Sequence, residues 1–349
     1  MEITGLAQRE AWTTRSLPPV EKVRANLWSI PIPIADSPLR YTSVYALAND
    51  ADVTLIDAGW NSDASWQALI DGLEEFGAGI TDVQGVLVTH QHFDHIGLAG
   101  RIREAAGAWI ALHPADNEAL LRPTFRNEGL ALAAERNWLM RLGASREEAV
   151  RLRPAGGMDR NAAFVVPDRL IENGQDVGVP GWSLRAIHTP GHTPGHLCFH
   201  DEATDLLFAG DTVLPRITPN VSVSAHDDGD ALGEFLSSLD LLVPLEPDEV
   251  LPAHEWRFRG LGERVSELKT HHERRLAELL DVVRRAPGSV PWDLAGQMTW
   301  SRPWDQYDGF MRVTAVAETT AHLVRLVRLG LVTETTEAVP RYRAVARTL

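Results

Sequence analysis

Residues 83–95 read VQGVLVTHQHFDH, an apolar run that ends on four metal-ligand types in six positions: His90, His92, Asp94 and His95. Three imidazoles and a carboxylate at the end of a buried strand cannot be core packing. They constrain the chain to present these side chains together at a loop that follows a strand. Histidines two apart in an extended segment point the same way, toward one ion. Asp94 and His95 fall where the chain turns into a helix and can face a second ion. Imidazole with carboxylate suits Zn, Fe or Mn.

The same pattern, an apolar strand followed by a polar loop, recurs downstream. HTPGHTPGH at 188–196 lies between strand-like WSLRAI and LCFH. Its prolines and glycines fix a rigid loop, which a metal site needs. His188, His192 and His196 stand four apart and cannot all bind one cluster. Gly210-Asp211-Thr212 ends DLLFA, and Pro252-Ala253-His254-Glu255 follows DEVL. Asp57 follows VTLI; on local grounds it reads as well as a turn or cap residue.

Between these motifs the hydrophobic period alternates. VRANLWSIPIPI, YTSVYALAND and DVTLIDAG read as consecutive antiparallel strands. SDASWQALIDGLEEFG switches to helical spacing, with Ser62 or Asp63 as cap and Gly77 as stop. Strands and helices then alternate, as in a sheet layered with helices. The expected organisation is an irregular N-terminal arm at 1–22, a catalytic domain at 23–258 and a C-terminal domain at 261–349. Residues of about 122–160 break the alternation with two helical stretches and read as an insertion. The C-terminal order, helices then a small hairpin, is that of a winged helix.

Composition narrows the functional classes. The chain has 349 residues, 33 Lys/Arg against 48 Asp/Glu, and a net charge of −15. That acidity argues against nucleic acid and anionic membranes as partners. Only Lys22 and Lys269 are lysines, so an anion site would use Arg, backbone N–H or metal. Cys198 is the sole cysteine, which excludes an intrachain disulfide. A polar, acidic start and no long apolar run lead us to expect a cytoplasmic protein with no signal peptide and no membrane span.

Taken together, HxHxDH at 90–95, TPGHTPGH at 189–196, Gly210-Asp211 and His254 resemble the metallo-β-lactamase superfamily, in the family's order and over roughly residues 23–258. The resemblance implies an α+β, four-layer αβ/βα sandwich with a dinuclear centre at one edge. It implies that His90, His92 and His192 hold a first metal, that Asp94, His95 and His254 hold a second, and that Asp211 bridges them. Asp57, His188 and His196 would then support the ligands from behind. Two divalent ions, Zn first with Fe or Mn as alternatives, would sit about 3.5–4 Å apart and turn water into a hydroxide nucleophile. Asp94 would orient that nucleophile and shuttle its proton. The diiron oxygen-reducing branch has Glu in place of His92, so hydrolysis is the expected reaction.

Departures from individual branches shape the substrate expectation. The largest group of zinc β-lactamases has Cys in place of Asp211 and Arg in place of His95. Hydroxyacylglutathione hydrolases share all seven ligands, but their basic C-terminal lysine cluster has no match here. HHERR at 271–275 and ETTAHL at 318–323 resemble the winged-helix tail of lactamase-like proteins, a group with a mitochondrial endoribonuclease and fungal polyketide thioesterases. From residue 261 onward there are 13 Lys/Arg against 11 Asp/Glu, too little charge for a default nucleic-acid surface. The tail reads instead as packing on the catalytic domain or as part of a homodimer interface.

The insertion carries Phe125, Arg126 and Trp138, suited to an apolar acyl chain with a polar end. The loop after Asp211 offers Arg216 and His226. The expectation is a dinuclear hydrolase of a small-molecule thioester or lactone-type ester. The alternatives are a phosphodiesterase or endoribonuclease, and a non-catalytic metal-binding protein that binds a partner.

Overall fold

A computed structural model describes residues 1–49, 52–151, 164–226 and 229–346. Residues 152–160 of the expected insertion and 347–349 of the expected C-terminal domain lie outside the described residues. Contacts divide the chain into two compact units. The first comprises Met1–Arg126, Met158–Pro219 and Ser238–Val265; the second comprises Asn127–Gly157, Asn220–Ser237 and Ser266–Leu349. The helical stretch after Arg126 thus groups with the C-terminal helices rather than with the sheets.

The chain opens with strand β1 (Glu2–Ile3) and helix α1 (Leu6–Thr14). Residues 1–20 read as irregular from sequence because α1 has no apolar stripe; it buries only Gln8 and Ala11. Gln8 anchors it instead, accepting from the Arg257 N–H at 3.0 Å and donating to Ser29 at 3.3 Å.

Strands β2 (Glu21–Arg24), β3 (Leu27–Pro33), β4 (Tyr41–Ala48) and β5 (Val53–Ile56) follow as an antiparallel meander. Helix α2 (Asp63–Glu74) then crosses to β6 (Val83–Leu87), capped by Ser62, which accepts from the Ser65 N–H at 3.1 Å. Helices α3 (Phe93–Ile96) and α4 (Ala99–Ala106) lead to β7 (Trp109–Leu112). Helices α5 (Pro114–Leu121), α6 (Pro123–Arg126), α7 (Glu128–Arg141) and α8 (Arg146–Arg151) precede β8 (Arg169–Leu170). Strands β2 to β8 form one seven-stranded sheet in chain order, with β5, β6, β7 and β8 parallel.

The second sheet takes β9 (Leu184–His188), β10 (Leu197–Asp201), β11 (Leu206–Gly210), then after helix α9 (Ala231–Leu242) β12 (Glu249–Pro252) and β13 (Phe258–Arg259). Its order is β1-β13-β12-β11-β10-β9, with β11 and β12 parallel. The two sheets face each other across Tyr45, Leu47, Ile56 and Leu87 on one side and Ala186, Phe199, Phe208 and Leu251 on the other, all buried. The outer face of the first sheet is covered by Leu69 and Leu73 of α2 and Ala99 and Ile102 of α4. Alternate residues of each strand thus serve two apolar layers, and the mixed α+β architecture follows.

Parallel strands emerge at one edge. The ends of β5, β6 and β7 deliver Asp57, the His90–His95 segment and α5; those of β11 and β12 deliver Asp211 and His254. The sheets are stitched there by Leu197 N–H to Thr89 O at 2.8 Å and Ser43 N–H to Ala253 O at 2.7 Å.

The second unit takes α10 (Leu261–Arg285) from Ser266 onward, then α11 (Pro291–Ala295) and α12 (Gly309–Arg328), which precede an antiparallel pair, β14 (Val332–Glu334) and β15 (Tyr342–Ala344). Leu279, Val283, Leu294, Leu323, Leu326 and Tyr342 form its core. Among the described residues, no helix is long and apolar enough to cross a membrane.

Candidate metal centre

Three groups of side chains bring their donor atoms within 4.8 Å of one another: His90, His92 and His192; His90, His95 and Asp211; and Asp94, His95 and His254. In the first group His90 Nε2 and His92 Nδ1 are 2.9 Å apart, and His192 Nε2 is 3.2 and 3.0 Å from them. Donors bound at about 2.0–2.1 Å to one tetrahedral ion would stand roughly 3.3 Å apart. Asp211 reaches both sides. Its Oδ2 lies 3.5 Å from His192 Nε2 and 3.6 Å from His95 Nε2, and its Oδ1 lies 3.4 Å from His254 Nε2. Asp94 Oδ2 is 3.4 Å from His254 Nε2.

The hydrogen bonds behind these groups decide which nitrogens face the centre. His254 Nδ1 donates to the Tyr41 carbonyl at 2.9 Å, which leaves Nε2 with its lone pair. His95 Nδ1 donates to Asp57 Oδ2 at 2.7 Å, again freeing Nε2. Asp57 also accepts from the Thr89 N–H at 2.8 Å and from its hydroxyl at 3.0 Å. The hydroxyl, committed as a donor, receives His90 Nδ1 at 3.0 Å. Buried Asp57 therefore sets two imidazoles through one carboxylate. His196 differs: its Nε2 accepts from the Asp211 N–H at 3.0 Å, so that lone pair is used within the protein. Its Nδ1 meets Thr189 and Thr212 at 2.8 and 2.9 Å. A Cβ on Gly210, at φ +49, would come within 2.6 Å of that His196 ring, so only glycine admits this arrangement.

The donor set fits a metal on two further grounds. His95 Nε2, His254 Nε2 and Asp211 Oδ1 are buried with no hydrogen-bond partner. Orphaned buried polar atoms are costly, and here they converge on one volume. Burial, then the neighbouring imidazoles, pushes His92 down to about 3 and holds His90 well below its ordinary value. Neutral imidazole is the ligating form. Burial opposes charge on His254 too, but Asp211 and Asp94 outweigh it and push it up to about 10. Asp94 and Asp211 are held well below the usual carboxylate range, burial being outweighed by His95 and His254. A cation would take over the proton's role at these acidic contacts.

The other residues singled out from sequence are placed variously. His188 stacks on His113 at 4.0 Å and bonds the Pro194 carbonyl at 2.8 Å, within the rigid loop. Phe125 packs on Phe93, the first residue of α3, with ring centroids 5.1 Å apart. Arg126 lies over the Phe164 ring at 4.3 Å. Arg216 pairs with Glu255 at 2.6 Å, so its guanidinium is already engaged. Trp138 and His226 belong to the second unit. There Trp138 lines an open cavity of about 900 Å³ with Arg141, Val327 and Val332, and His226 is exposed.

Two carboxylates were given no role from sequence. Glu255, fully buried, accepts from the N–H groups of Arg216 and Ile217 at 3.0 and 3.2 Å and fixes the segment after Asp211. Asp116 of α5, also fully buried, bonds both histidine loops. Burial pushes its carboxyl up to about 6, against three hydrogen bonds that pull it down. Local sequence signals for either were slight: Glu255 closes the PAHE phrase after β12, and Asp116 stands in the first turn of α5 after β7.

Comparison with known proteins decides the family. The model of the metallo-beta-lactamase superfamily matches residues 37–254. The chain belongs to that superfamily. A metallo-beta-lactamase family protein from Thermus thermophilus superposes with a TM-score of 0.77 at 29% identity, over 93% of this chain and 100% of that one. The lactamase-like protein adaB of Aspergillus niger is 27% identical over 275 residues, 77% of this chain and 68% of its own length. The atrochrysone carboxyl ACP thioesterase AgnL7 of Paecilomyces divaricatus is 36% identical over 151 residues, 41% of this chain and 44% of its own. The superfamily's members are mostly metal-dependent hydrolases, and the convergent donors of this chain suit that chemistry.

Proposed function

We propose that the chain is a dinuclear metal-dependent hydrolase that opens a thioester or lactone-type ester with water. The observation that carries this is the pair of donor triads joined by Asp211, with His95 Nε2, His254 Nε2 and Asp211 Oδ1 buried and unpartnered between them. His90, His92 and His192 would hold one ion, Asp94, His95 and His254 the other, and Asp211 would serve both. Zinc is the first choice by donor type, with iron or manganese next. When bound, such a pair lowers the pKa of water toward about 7 and polarises the substrate's carbonyl oxygen.

The chain's own residues do the rest. Asp57 and the Tyr41 carbonyl keep His95 and His254 in the tautomer with free Nε2. Asp94 keeps 17% of its side chain exposed against 9% for Asp211, so it is the carboxylate that can meet an incoming water. Ionised at neutral pH, it orients that water and takes its proton. Phe93 and Phe125 supply apolar surface next to α3. AgnL7, a thioesterase by its name, favours the thioester over the phosphodiester. Three helices followed by β14 and β15 support a winged-helix-like tail, whose net charge of +2 from residue 261 gives no support to a nucleic-acid groove.

The test is a hydrolysis panel on the metal-loaded protein. Acyl-thioesters and lactones are set against a bis-phosphodiester and a labelled single-stranded RNA, with metal-stripped protein as control. Metal-dependent turnover of the carbonyl substrates is expected. Turnover of the phosphodiesters alone, or equal turnover after stripping, overturns the proposal.

A further inference from the structure

We propose that Asp116 is a positioning residue that clamps the loop carrying His90 and His92 to the loop carrying His192, and so sets the affinity of the ion held by that triad. The inference rests on the two-ion reading above.

The three histidines come from two segments about a hundred residues apart in sequence, and each segment is a loop. Something must hold the loops in mutual register, because a ligand set is only as good as the shell that orients it. Asp116 is placed to do that. Its Oδ2 accepts from the Gln91 N–H at 2.9 Å and from the Thr193 hydroxyl at 2.8 Å. Its Oδ1 accepts from the Gly195 N–H at 2.7 Å. Gln91 lies between His90 and His92, and Thr193 follows His192. One carboxylate therefore holds the backbone on both sides of the triad, and no ligand of the other triad is among its hydrogen-bond partners.

The approach is close enough to explain a residue of the loop. A Cβ on Gly195 would lie 2.5 Å from the Asp116 nitrogen and 2.8 Å from its Cβ. The second glycine of TPGHTPGH is thus required by contact with Asp116. Asp116 is fully buried. Its charge is held by three neutral donors, and that arrangement loses most of its value if any donor moves.

The test measures metal affinity rather than turnover. Zinc is titrated into the metal-stripped full chain against a chromophoric chelator, for the parent and for Asp116→Ala, Asp116→Asn, Gly195→Ala and His192→Ala. The melting temperature of each metal-free protein is recorded alongside. The parent should bind two ions. Asp116→Ala should weaken one of them about 10–100-fold, as loss of an outer-shell partner does, and leave the other unchanged. The ion weakened should be the one lost in His192→Ala, so the double variant should show no further loss. Gly195→Ala retains the carboxylate but displaces the loop, and should weaken the same ion even if Asp116→Ala folds poorly. A purely structural role would lower the metal-free melting temperature and leave both affinities at parental values. Two ions at parental affinity in Asp116→Asn and Gly195→Ala overturn the proposal. Fewer than two ions in the parent overturns the two-ion reading on which it rests.

Discussion

Asp57→Asn isolates how much of the centre depends on hydrogen bonding behind the ligands. The substitution is nearly isosteric, so packing is kept and only chemistry changes. The aspartate accepts from His95 Nδ1 at 2.7 Å and from the Thr89 N–H at 2.8 Å, one on each oxygen. An asparagine has one oxygen. Turned either way, its NH2 group faces a buried donor. If it faces His95, the imidazole must move its proton to Nε2, and the lone pair that points at Asp211 is lost. If it faces Thr89, a buried backbone N–H is left unpaired, at a cost of about 1–3 kcal/mol. The prediction is a loss of about 10–100-fold in affinity for the ion held by Asp94, His95 and His254, or about 1.4–2.8 kcal/mol. Chelator competition measures the affinity. Nitrogen chemical shifts of the imidazoles report the His95 tautomer in the same sample. Parental affinity for both ions, with His95 still protonated at Nδ1, would refute the reasoning.

Other predictions follow from the same geometry. Asp211→Ala should reduce both metal stoichiometry and hydrolysis, because its oxygens lie 3.4–3.6 Å from donors of both triads; full hydrolysis without bound metal, read by elemental analysis beside a rate assay, would contradict the mechanism. Cys198 is fully buried, and burial pushes its thiol up to about 11 from 9.0, so at pH 8 iodoacetamide should label it at least about 100-fold more slowly in the folded protein than in urea; equal rates would refute this. In the second unit, burial and then the neighbouring His322 push His272 down to about 3 from 6.5, and burial, with Arg275 and His271 adding to it, pushes His322 down to about 4. Both are neutral in the fold and protonate earlier when unfolded, so their contribution is complete above about pH 6.5 and lost as pH falls toward 4. Melting temperatures from pH 7 to pH 4 should fall more steeply in the parent than in His272→Gln, and parallel curves would count against the assignment.

The candidate donors were legible because a strand end is readable from hydrophobic pattern, and each donor segment follows one. Asp57, His90, Asp211 and His254 stand directly after β5, the apolar run through β6, β11 and β12, and parallel pairing brings those ends to one edge. His196 shows what local pattern leaves open. It repeats the His192 phrase letter for letter, yet its Nε2 accepts the Asp211 N–H, a bond between residues 15 apart that only the closed sheet creates. Helix α3 is a separate turn ahead of α4 because His92 accepts from the His95 and Ile96 N–H groups, whereas the Leu98 N–H turns to the Gly59 carbonyl before α4 begins.

The supporting carboxylates were illegible for a related physical reason. Asp116 and Glu255 bind mostly backbone N–H groups, which every residue but proline presents, and their side-chain partners, Thr193 and Arg216, lie far from them in sequence. The Gly195 bond spans 79 residues and the Gln91 bond 25. A ligand declares itself by type, since few side chains can bind a metal. A residue that positions a loop declares itself only by what it touches. Gly195 is the exception that connects the two, because a close approach requires the absence of a Cβ, and that absence is written in the sequence. The second glycine of TPGHTPGH was read there as loop rigidity; in the structure it is also the mark left by the buried carboxylate beside it.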